Sequence, residues 1–414
     1  MAENSKAMKI LYIHQYFRTP EEGGAVRSFH LAKGLVEKGF EVELITGGNQ
    51  QHYDQKWIEG IKVHYLPVSY DQKFGFFQRI KAFWIFVKQC KKLIPKLNRP
   101  DLLYITSTPL TTGWIGLWAK KKLAIPYIFE VRDLWPEAPV QVGAIQNRLL
   151  KKYLFRLEAK IYRNALKIVA LSPGIAAYIR QINPQFDVQI IPNFADLKQF
   201  FPQEKNQDLL QKHGLNPSLT IAYAGALGKV NAVDELVDLA KIAQQQGKTW
   251  QFLIMGDGSE KQTLEKSVEK LSLKQVHFFP FGSKEQVNEL LGIADLAWIS
   301  FAHLPVLKTN SPNKFFDALG AGKGIIVNHK GWVYQLVKKH QLGISCLPGK
   351  MARCFEQLEI LEQHPQTLKS YQENSRLLAE NYFTKEHAVE RLAHLLDPGK
   401  NPPKQGDEVY ILTA

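Results

Sequence analysis

The segment SPNKFFDALGAGKGIIV, residues 311–327, combines helix signals with a lysine in the first helical turn. Ser311 is a favourable N-cap, Pro312 suits the first helical position, and the glycines that follow can end the helix. A helix N-terminus carries partial positive charge, so Lys314 lies where the helix dipole repels it. A bound anion would stabilise this arrangement, because a helix N-terminus and an ammonium group together bind phosphate. We therefore predict a phosphate site at Lys314, with a solvated surface lysine as the alternative.

Two glycine-rich segments in the second half of the chain follow apolar, strand-like runs. YAGALGKV places Gly225, Gly228 and Lys229 after one run, and IMGDG places Gly256 after another. In doubly wound sheets ligands bind beyond the carboxyl ends of the strands. Backbone N–H groups in glycine-rich turns approach phosphate closely, and a lysine neutralises its charge. The segments therefore predict a phosphate site that includes Lys314, although each alone could be a plain strand-to-helix turn.

Asp317 lies one turn after Lys314 on the same predicted helix face. A carboxylate at this position can accept hydrogen bonds from a ribose diol while the lysine binds the phosphates. An ion pair between the two side chains, three residues apart, is the alternative.

The first half carries a second set of residues near predicted strand ends. These residues are Gly23, Gly24, Arg27, Arg132, Asp133 and Glu137. Charged residues that end an apolar strand of a doubly wound sheet point toward the ligand edge. A structural ion pair between Arg132 and Asp133 is the alternative. The dinucleotide fingerprint G-x-G-x-x-G is absent from the glycine turn, so an NAD site is not expected.

The wider pattern predicts the elements that position these residues. Strand-like runs alternate with helical stretches, over 25–38, 111–122 and 147–164 in the first half, and the second half repeats the plan. This pattern indicates parallel sheets covered by helices. We predict two doubly wound, Rossmann-like α/β domains facing each other across a cleft, over residues 8–193 and 204–379. We expect residues 397–414, which are rich in Pro, Gly and Lys, to be a disordered tail.

Charge and cysteine content limit the compartment and the partners. The net charge is +14, and we count 28 Lys and Arg against 15 Asp and Glu up to Asn193, so the first half carries nearly all of the excess. Three cysteines without metal-ligand spacing favour a reducing, cytoplasmic compartment and argue against structural zinc. No apolar leader precedes Met8, and no apolar run is long enough to span a membrane.

Residues 74–99, FGFFQRIKAFWIFVKQCKKLIPKLNR, contain seven basic residues, six aromatic residues and no acidic residue. This composition is typical of an element that lies on an anionic membrane. A core helix with a basic, solvated face is the alternative. Nucleic acid is not expected as a partner, because no recognised binding motif accompanies the charge.

The order GGAVR, RDLWPE, GALGK, MGDG and SPNKFFDALGAGK resembles the retaining GT-B glycosyltransferases of family 4, in the branch that builds bacterial polysaccharides. The resemblance extends from Lys9 to about Leu396. It implies that the second domain binds a nucleotide-sugar donor, and that a final helix, about 380–396, crosses back to the first domain.

The resemblance also assigns roles to individual residues. It implies that Lys229 and Lys314 bind the diphosphate, Asp317 the ribose and the Gly282 backbone the base. The donor-binding set that we predict is Gly23, Gly24, Gly225, Gly228, Lys229, Gly256, Gly282, Thr309, Asn310, Ser311, Asn313, Lys314 and Asp317. Asp133 is the predicted residue that orients or deprotonates the acceptor, and Arg132 is predicted to neutralise phosphate charge. Arg27 and Glu137 are predicted on the acceptor side.

The sequence departs from the family at three positions. The usual Glu-x7-Glu pair falls at Thr309 and Asp317, so residues around Thr309 and Asn310 must hold the sugar differently. Ala226 replaces an arginine of the glycine loop, which leaves more of the phosphate charge to the two lysines. Arg132 stands where many relatives have a histidine.

The expected function is transfer of a hexosyl unit, with retention, from a UDP-sugar such as UDP-glucose or a UDP-N-acetylhexosamine to a lipid-linked saccharide. We expect no metal and no cofactor, and a peripheral position on the inner face of the plasma membrane. A UDP-sugar 2-epimerase, or a non-catalytic binder of nucleotide-sugars or polyanions, is the alternative. Release of UDP from labelled UDP-sugars discriminates among these functions.

Overall fold

The computed structural model describes residues 7–22, 24, 26–69 and 74–401, apart from the side chains of Phe76 and Phe77. Two predictions fall elsewhere: Gly23 and residues 402–414 of the expected tail lie outside the described residues. The described chain forms two compact units. One contains residues 7–20, 26–192 and 386–401, and the other contains Glu21, Glu22, Gly24 and residues 193–385.

The first unit is built on an eight-stranded sheet within the described residues. Its strands are β1 (Lys9–Ile13), β2 (Glu41–Gly48), β3 (Asp54–Ile58), β4 (Ile61–Pro67), β5 (Leu102–Thr106), β6 (Tyr127–Val131), β7 (Lys167–Ala170) and β8 (Val188–Ile190). The spatial order is β3-β4-β2-β1-β5-β6-β7-β8, and all neighbours are parallel except β3 and β4. Strands β1, β5 and β6 are buried along their whole length, as expected for a sheet covered on both faces.

Helices cover this sheet in two layers. They are α1 (Arg27–Glu37), α2 (Phe76–Leu93), α3 (Gly113–Leu123), α4 (Glu137–Gln141), α5 (Arg148–Asn164) and α6 (Pro173–Ile182). Because parallel crossovers are right-handed, the connections that run from β4 toward β8 lie on the face opposite α1. Helix α3 packs against both α2 and α5, so these three helices form one continuous layer.

The second unit contains a six-stranded, all-parallel sheet in the order β11-β10-β9-β12-β13-β14. Its strands are β9 (Thr220–Ala224), β10 (Gln251–Met255), β11 (Val276–Phe279), β12 (Leu296–Ile299), β13 (Gly324–Val327) and β14 (Gly343–Ser345). Its helices are α7 (Gln207–Lys212), α8 (Asp234–Gln245), α9 (Lys261–Lys270), α10 (Lys284–Gly292), α11 (Asn313–Gly320), α12 (Trp332–Lys339), α13 (Met351–Gln363) and α14 (Pro365–Tyr382). One apolar core lies on each face of this sheet. The predicted fold class, two doubly wound α/β domains, is confirmed.

The last helix, α15 (Lys385–Leu396), begins in the second unit, and its residues from Glu386 onward belong to the first unit. There it packs on α1, where Gly34 leaves room for the side chain of Val389. A Cβ at Gly34 would overlap that side chain, so even alanine at this position would force the two helices apart.

Candidate functional site

Lys314 lies in the first turn of α11, at the carboxyl edge of the second sheet. Its ammonium group donates a hydrogen bond to Tyr223 Oη at 2.9 Å and lies 4.2 Å from the centroid of the Tyr223 ring. The Phe301 ring is 5.0 Å away. Burial lowers the pKa of Lys314 to about 7, and within the described residues no acidic side chain forms an ion pair with it. A partly desolvated cation without a protein counter-ion is the arrangement that an anionic ligand would stabilise.

Tyr223 connects Lys314 to the glycine loop after β9. Its hydroxyl donates to the carbonyl oxygen of Ala226 at 2.6 Å while it accepts from Lys314. A Cβ at Gly225 would lie 3.2 Å from Tyr223 Oη and 3.4 Å from Lys314 Cε. The loop therefore leaves little room for a side chain next to the ammonium group.

The second glycine turn, after β10, supports the first. A Cβ at Gly256 would overlap the carbonyl oxygen of Gly225, and a Cβ at Gly258 would overlap that of Leu227. Leu227 N donates to the Asp257 carbonyl oxygen at 2.9 Å. Close packing of the two backbones therefore explains why residue 256 is a glycine. The same packing holds the first loop in place.

Lys229 and Gly228 occupy the same edge. Lys229 begins a short 3-10 helix, Lys229–Asn231, and its side chain is exposed. A Cβ at Gly228 would meet only Asn231 Oδ1, at 3.5 Å, so this part of the loop is open. The two lysines predicted to bind phosphate thus both follow strand ends at the carboxyl edge of the second sheet.

Asp317 pairs with Lys284 of α10, with 2.7 Å between Oδ2 and Nζ. The predicted alternative, an ion pair with Lys314, is wrong. Burial raises the pKa of Asp317, and the charge of Lys284 opposes the increase. Gly282 lies just before Ser283, the N-cap of α10, where a Cβ would crowd Gln286 and the Met255 sulfur.

The polar groups of the segment before α11 form hydrogen bonds with other groups of the second unit. The Thr309 hydroxyl donates to the Val306 carbonyl at 2.7 Å, and Trp332 Nε1 donates to the Asn310 carbonyl at 2.5 Å. The N-cap of α11 is Pro312, with no side-chain cap, and Asn313 is the first helical residue. The N-cap predicted at Ser311 is therefore wrong, because the Ser311 hydroxyl accepts from the backbone N–H of Asn193 at 3.2 Å.

Several residues around Lys314 were not predicted. They are Tyr223, Glu235, Phe301, His303, Asn328 and His329. Most lie at or just after the ends of β9, β12 and β13. Their position at the ends of predicted strands was therefore the feature of the sequence that could have identified them. Burial and the charges of Lys314 and His303 lower the pKa of His329 to about 4, so His329 is neutral at physiological pH.

In the first unit, Arg132 and Asp133 follow β6. Arg132 Nη1 lies 3.2 Å from His14 Nε2, and its backbone N–H donates to Ser107 Oγ at 2.9 Å. The exposed Asp133 side chain accepts from Thr108 Oγ1 at 3.4 Å. Partial desolvation raises the pKa of Asp133, while the Arg132 charge opposes the increase. Within the described chain no direct ion pair joins Arg132 to Asp133.

His14 is a further residue that was not predicted. Burial and the nearby Arg132 charge hold its pKa well below the usual range, so the ring is neutral and Nε2 can accept from the guanidinium. Glu137, the first residue of α4, accepts a hydrogen bond from Gln141 at 2.6 Å. Gly24 is exposed, with φ of +84°, a conformation that favours glycine.

Arg27 has a different position from the one predicted. Its buried guanidinium pairs with the buried carboxylate of Glu130 at 2.9 Å and donates to the backbone carbonyls of Ile191 and Pro192. Tyr104 also donates to Glu130, at 2.8 Å. These contacts place Arg27 in the interior of the first unit, so we replace its predicted acceptor-side role with a structural one.

The helical layer opposite α1 exposes aromatic, aliphatic and basic side chains. In α2, Phe83, Phe86 and Cys90 are buried, while Trp84 is 59% exposed and contacts the Trp114 ring at 5.5 Å. The described aromatic side chains of α2 thus divide between the core and the surface. Within the described chain, no helix is long and apolar enough to cross a membrane.

Helix α5 also exposes apolar side chains. Leu149 is 79% exposed and Tyr153 52% exposed, with Leu150 beside them. The helix carries six basic residues, and its one acidic residue, Glu158, is buried. Burial raises the pKa of Glu158 to about 8, so this helix presents a basic and partly apolar face.

The fold consists of two Rossmann-like α/β domains, and each domain matches a glycosyltransferase family. Residues 22–193 match the family described as "Glycosyl transferase 4-like domain", and residues 205–378 match "Glycosyl transferases group 1". The two matches together span most of the chain. The chain therefore belongs to the GT-B glycosyltransferases, and its resemblance to family 4 is confirmed.

Similar proteins and structures agree with this assignment. The alpha-monoglucosyldiacylglycerol synthase of Acholeplasma laidlawii is 24% identical, over 89% of this chain and 92% of that protein. The lipopolysaccharide core biosynthesis glycosyltransferase LpsD of Rhizobium meliloti is 25% identical, over 78% of each chain. The structure is similar to sucrose-phosphate synthase from Thermosynechococcus elongatus, with a TM-score of 0.77, 17% identity and coverage of 94% and 98% of the two chains. It is also similar to Anabaena HepE in complex with UDP-glucose, with a TM-score of 0.70, 16% identity and coverage of 94% and 100%.

Proposed function

We propose that this glycosyltransferase transfers a hexosyl unit from a UDP-sugar to a lipid-linked saccharide, with retention at the anomeric carbon. The half-buried Lys314, which has no acidic partner in the described chain and lies beside the glycine loop, is the observation that carries the proposal. Two similarities support the substrates. The Anabaena structure contains UDP-glucose, and the Acholeplasma relative is named for a glucosylated diacylglycerol.

The second unit would bind the donor. Lys314 and Lys229 neutralise the diphosphate, Asp317 accepts hydrogen bonds from the ribose, and the Gly282 backbone contacts the base. Because Asp317 already pairs with Lys284, the ribose hydroxyls would share its carboxylate. Fixed cations and loop N–H groups stabilise the charge that develops on the leaving diphosphate, so we propose that transfer needs no divalent ion.

The bond changes in the proposed reaction are a substitution on one face of the sugar. The bond between the anomeric carbon and the diphosphate oxygen breaks, and a bond to the acceptor oxygen forms on the same face. The acceptor proton passes to the leaving phosphate oxygen or to Asp133, whose raised pKa favours proton acceptance. Arg132, held by His14, supplies positive charge near this carboxylate.

Release of UDP tests the transferase function. Purified protein is incubated with UDP-glucose, UDP-galactose and the UDP-N-acetylhexosamines, and UDP is measured with and without a lipid extract as acceptor. A transferase releases UDP slowly by hydrolysis and faster with acceptor, an epimerase converts the sugar without release, and a binder does neither. Lys314→Met should slow this release because it removes the ammonium charge, and Lys266→Met, on the exposed part of α9, serves as its matched control.

We also propose that the protein binds peripherally to the anionic inner face of the plasma membrane through α2 and α5. Six basic residues on α5 and its exposed leucines and tyrosine support this surface, together with the charge excess of the first half. Attraction to anionic lipid contributes about 1 kcal/mol per basic residue near the surface. Insertion of Leu149 and Tyr153 adds apolar burial, which gives a reversible, salt-sensitive attachment.

Liposome co-sedimentation tests this surface. Wild type should bind anionic vesicles at low salt and not neutral vesicles. Two charge-reversal variants change one helix each: Lys88, Lys91 and Lys92 to Glu in α2, and Lys152, Arg156 and Lys160 to Glu in α5. The control changes Lys261, Lys266 and Lys270 of α9 to Glu. If all three variants bind anionic vesicles as the wild type does, the proposed surface is wrong.

A further inference from the structure

Thr309 occupies the position of the first glutamate in the Glu-x7-Glu pair that is usual in family 4. This residue ends a 3-10 helix, Pro305–Thr309, and its hydroxyl donates to the Val306 carbonyl within the same turn. A neutral side chain engaged in this way does not replace a carboxylate that accepts hydrogen bonds from sugar hydroxyls. The hexosyl part of the donor therefore requires a different polar group near Lys314.

Glu235 supplies a carboxylate at the same edge of the second sheet. It lies in the first turn of α8, which follows the loop that carries Lys229. Its Oε2 accepts a hydrogen bond from Asn328 Nδ2 at 3.0 Å, and its Oε1 lies 2.5 Å from His303 Nε2. Glu235 thus joins the start of α8 to the segments that follow β12 and β13.

Asn328 makes this connection rigid. The residue is fully buried, and its Oδ1 accepts from the backbone N–H of Phe301 at 2.9 Å, while its Nδ2 also donates to the Phe301 carbonyl at 3.0 Å. The segment that carries His303 is therefore fixed at its base. A satisfied buried amide of this kind holds one loop geometry, because any movement would leave its polar atoms unpaired.

The orientation of the His303 ring follows from its partner. A carboxylate only accepts hydrogen bonds, so Nε2 of His303 carries the hydrogen that points to Glu235. Within the described residues no partner contacts Nδ1, and the side chain is 38% exposed. Nδ1 can therefore accept a hydrogen bond from a hydroxyl of a ligand when the ring is neutral, or donate one when it is charged.

His303 lies near the proposed phosphate site. The Phe301 ring lies 5.0 Å from the Lys314 ammonium and 5.2 Å from the His329 ring, and both Lys314 and His303 act electrostatically on His329. The hexosyl group is bonded directly to the diphosphate in a UDP-sugar. A ligand held by Lys314 would therefore bring its sugar hydroxyls to this part of the edge.

We propose that His303, positioned by Glu235 and Asn328, binds hydroxyl groups of the hexosyl part of the donor and replaces the glutamate that is missing at Thr309. This inference rests on the proposed UDP-sugar function. His303 contacts the substrate, whereas Glu235 is a positioning residue. The pair determines which hexose is accepted, because an epimer that turns one hydroxyl away loses this contact.

The test compares UDP with UDP-glucose, or with the UDP-hexose that the wild type hydrolyses fastest. His303→Ala should raise the KM for the UDP-hexose about tenfold, as expected for loss of one hydrogen bond to a polar group, without changing the affinity for UDP. The preference between UDP-glucose and its 4-epimer UDP-galactose should also decrease. Glu235→Gln should raise the KM in the same direction with kcat retained, since the contact serves ground state and transition state alike.

Two controls separate this role from a structural one. Asp234→Asn removes the same charge from the same helical turn and should leave KM unchanged, and His303→Gln should retain part of the discrimination between epimers. Parallel loss of UDP and UDP-hexose affinity in His303→Ala, or unchanged KM and epimer preference, would overturn the inference. If the wild type releases no UDP from any UDP-hexose, the proposed function itself fails, and this result is recognised before any variant is made.

Discussion

The lowered pKa of Lys314 predicts how UDP binding depends on pH. With a pKa of about 7 in the free protein, the ammonium group is charged below this pH and mostly neutral above it. A bound diphosphate favours the charged form and raises this pKa again. The contribution of Lys314 to UDP affinity should therefore be constant below pH 7 and should decrease progressively above it.

The magnitude follows from linkage. Where the complex keeps its proton and the free protein has lost it, UDP affinity falls about tenfold for each pH unit. Because half of the free protein is still protonated at pH 7, the decrease from pH 7 to pH 9 is about 50-fold. Two neighbouring groups do not titrate in this window. Burial keeps Tyr223 neutral by raising its pKa, and His329 is neutral because its pKa is about 4.

The assay is calorimetry of UDP binding from pH 6 to pH 9 in two buffers with different ionisation enthalpies. At pH 8, wild type should take up close to one proton per UDP bound. Lys314→Arg should show no loss of affinity from this group as pH rises, because arginine stays charged. Lys314→Ala should reduce turnover by about two orders of magnitude, as for loss of one preorganised charge-stabilising contact. A wild-type profile without proton uptake, matching that of Lys314→Arg, would show that Lys314 does not lose its proton near pH 7.

Three further predictions concern Asp317, Asp133 and Arg27. Asp317→Ala should weaken UDP binding about tenfold by calorimetry, because it removes hydrogen bonds to the ribose, and unchanged binding would exclude that role. Asp133→Asn should lower turnover by about two orders of magnitude or more with an unchanged melting temperature, whereas a lower melting temperature with intact specific activity would indicate a structural residue. Arg27→Met should reduce the free energy of unfolding in urea by about 3 to 5 kcal/mol, since it leaves the buried Glu130 carboxylate without its cation, and a stable variant would contradict this placement.

The pH dependence of stability gives a second check on Lys314. Its folded-state pKa of about 7 lies below the pKa of 10.5 expected in the unfolded chain. Between these values the unfolded chain binds the proton more tightly, so the contribution of this group to stability rises with pH over that window. Lys314→Met should remove this part of the slope in urea denaturation measured at several pH values. An unchanged slope would contradict the lowered pKa.

Most of the sheet strands could be predicted from sequence because buried parallel strands read as continuous apolar runs. The hairpin formed by β3 and β4 was missed, since the exposed residues of β3 do not form such a run. Its two-residue turn, Glu59 and Gly60, has positive φ at both residues, and the glycine in this turn was the hairpin signal that the sequence offered.

The donor-phosphate site was predictable in part because glycines and lysines mark strand-to-helix turns. The contacts that define its chemistry were not predictable, because they depend on tertiary packing. Tyr223 reads as an ordinary strand residue, yet its hydroxyl meets Lys314. Likewise, Arg27 has the spacing of a ligand-edge residue, but a carboxylate 103 positions away in sequence draws it into the core. Such long-range partners leave no local pattern.

Retaining transfer from a UDP-hexose is best tested by nuclear magnetic resonance of the wild type with its preferred UDP-hexose. One spectrum reports both UDP and the anomer of the released sugar. We expect that UDP accumulates, that the sugar first appears in the anomeric configuration of the donor, and that Lys314→Ala slows both signals together. Release of the opposite anomer, or intact UDP-hexoses after prolonged incubation with folded protein, would contradict it.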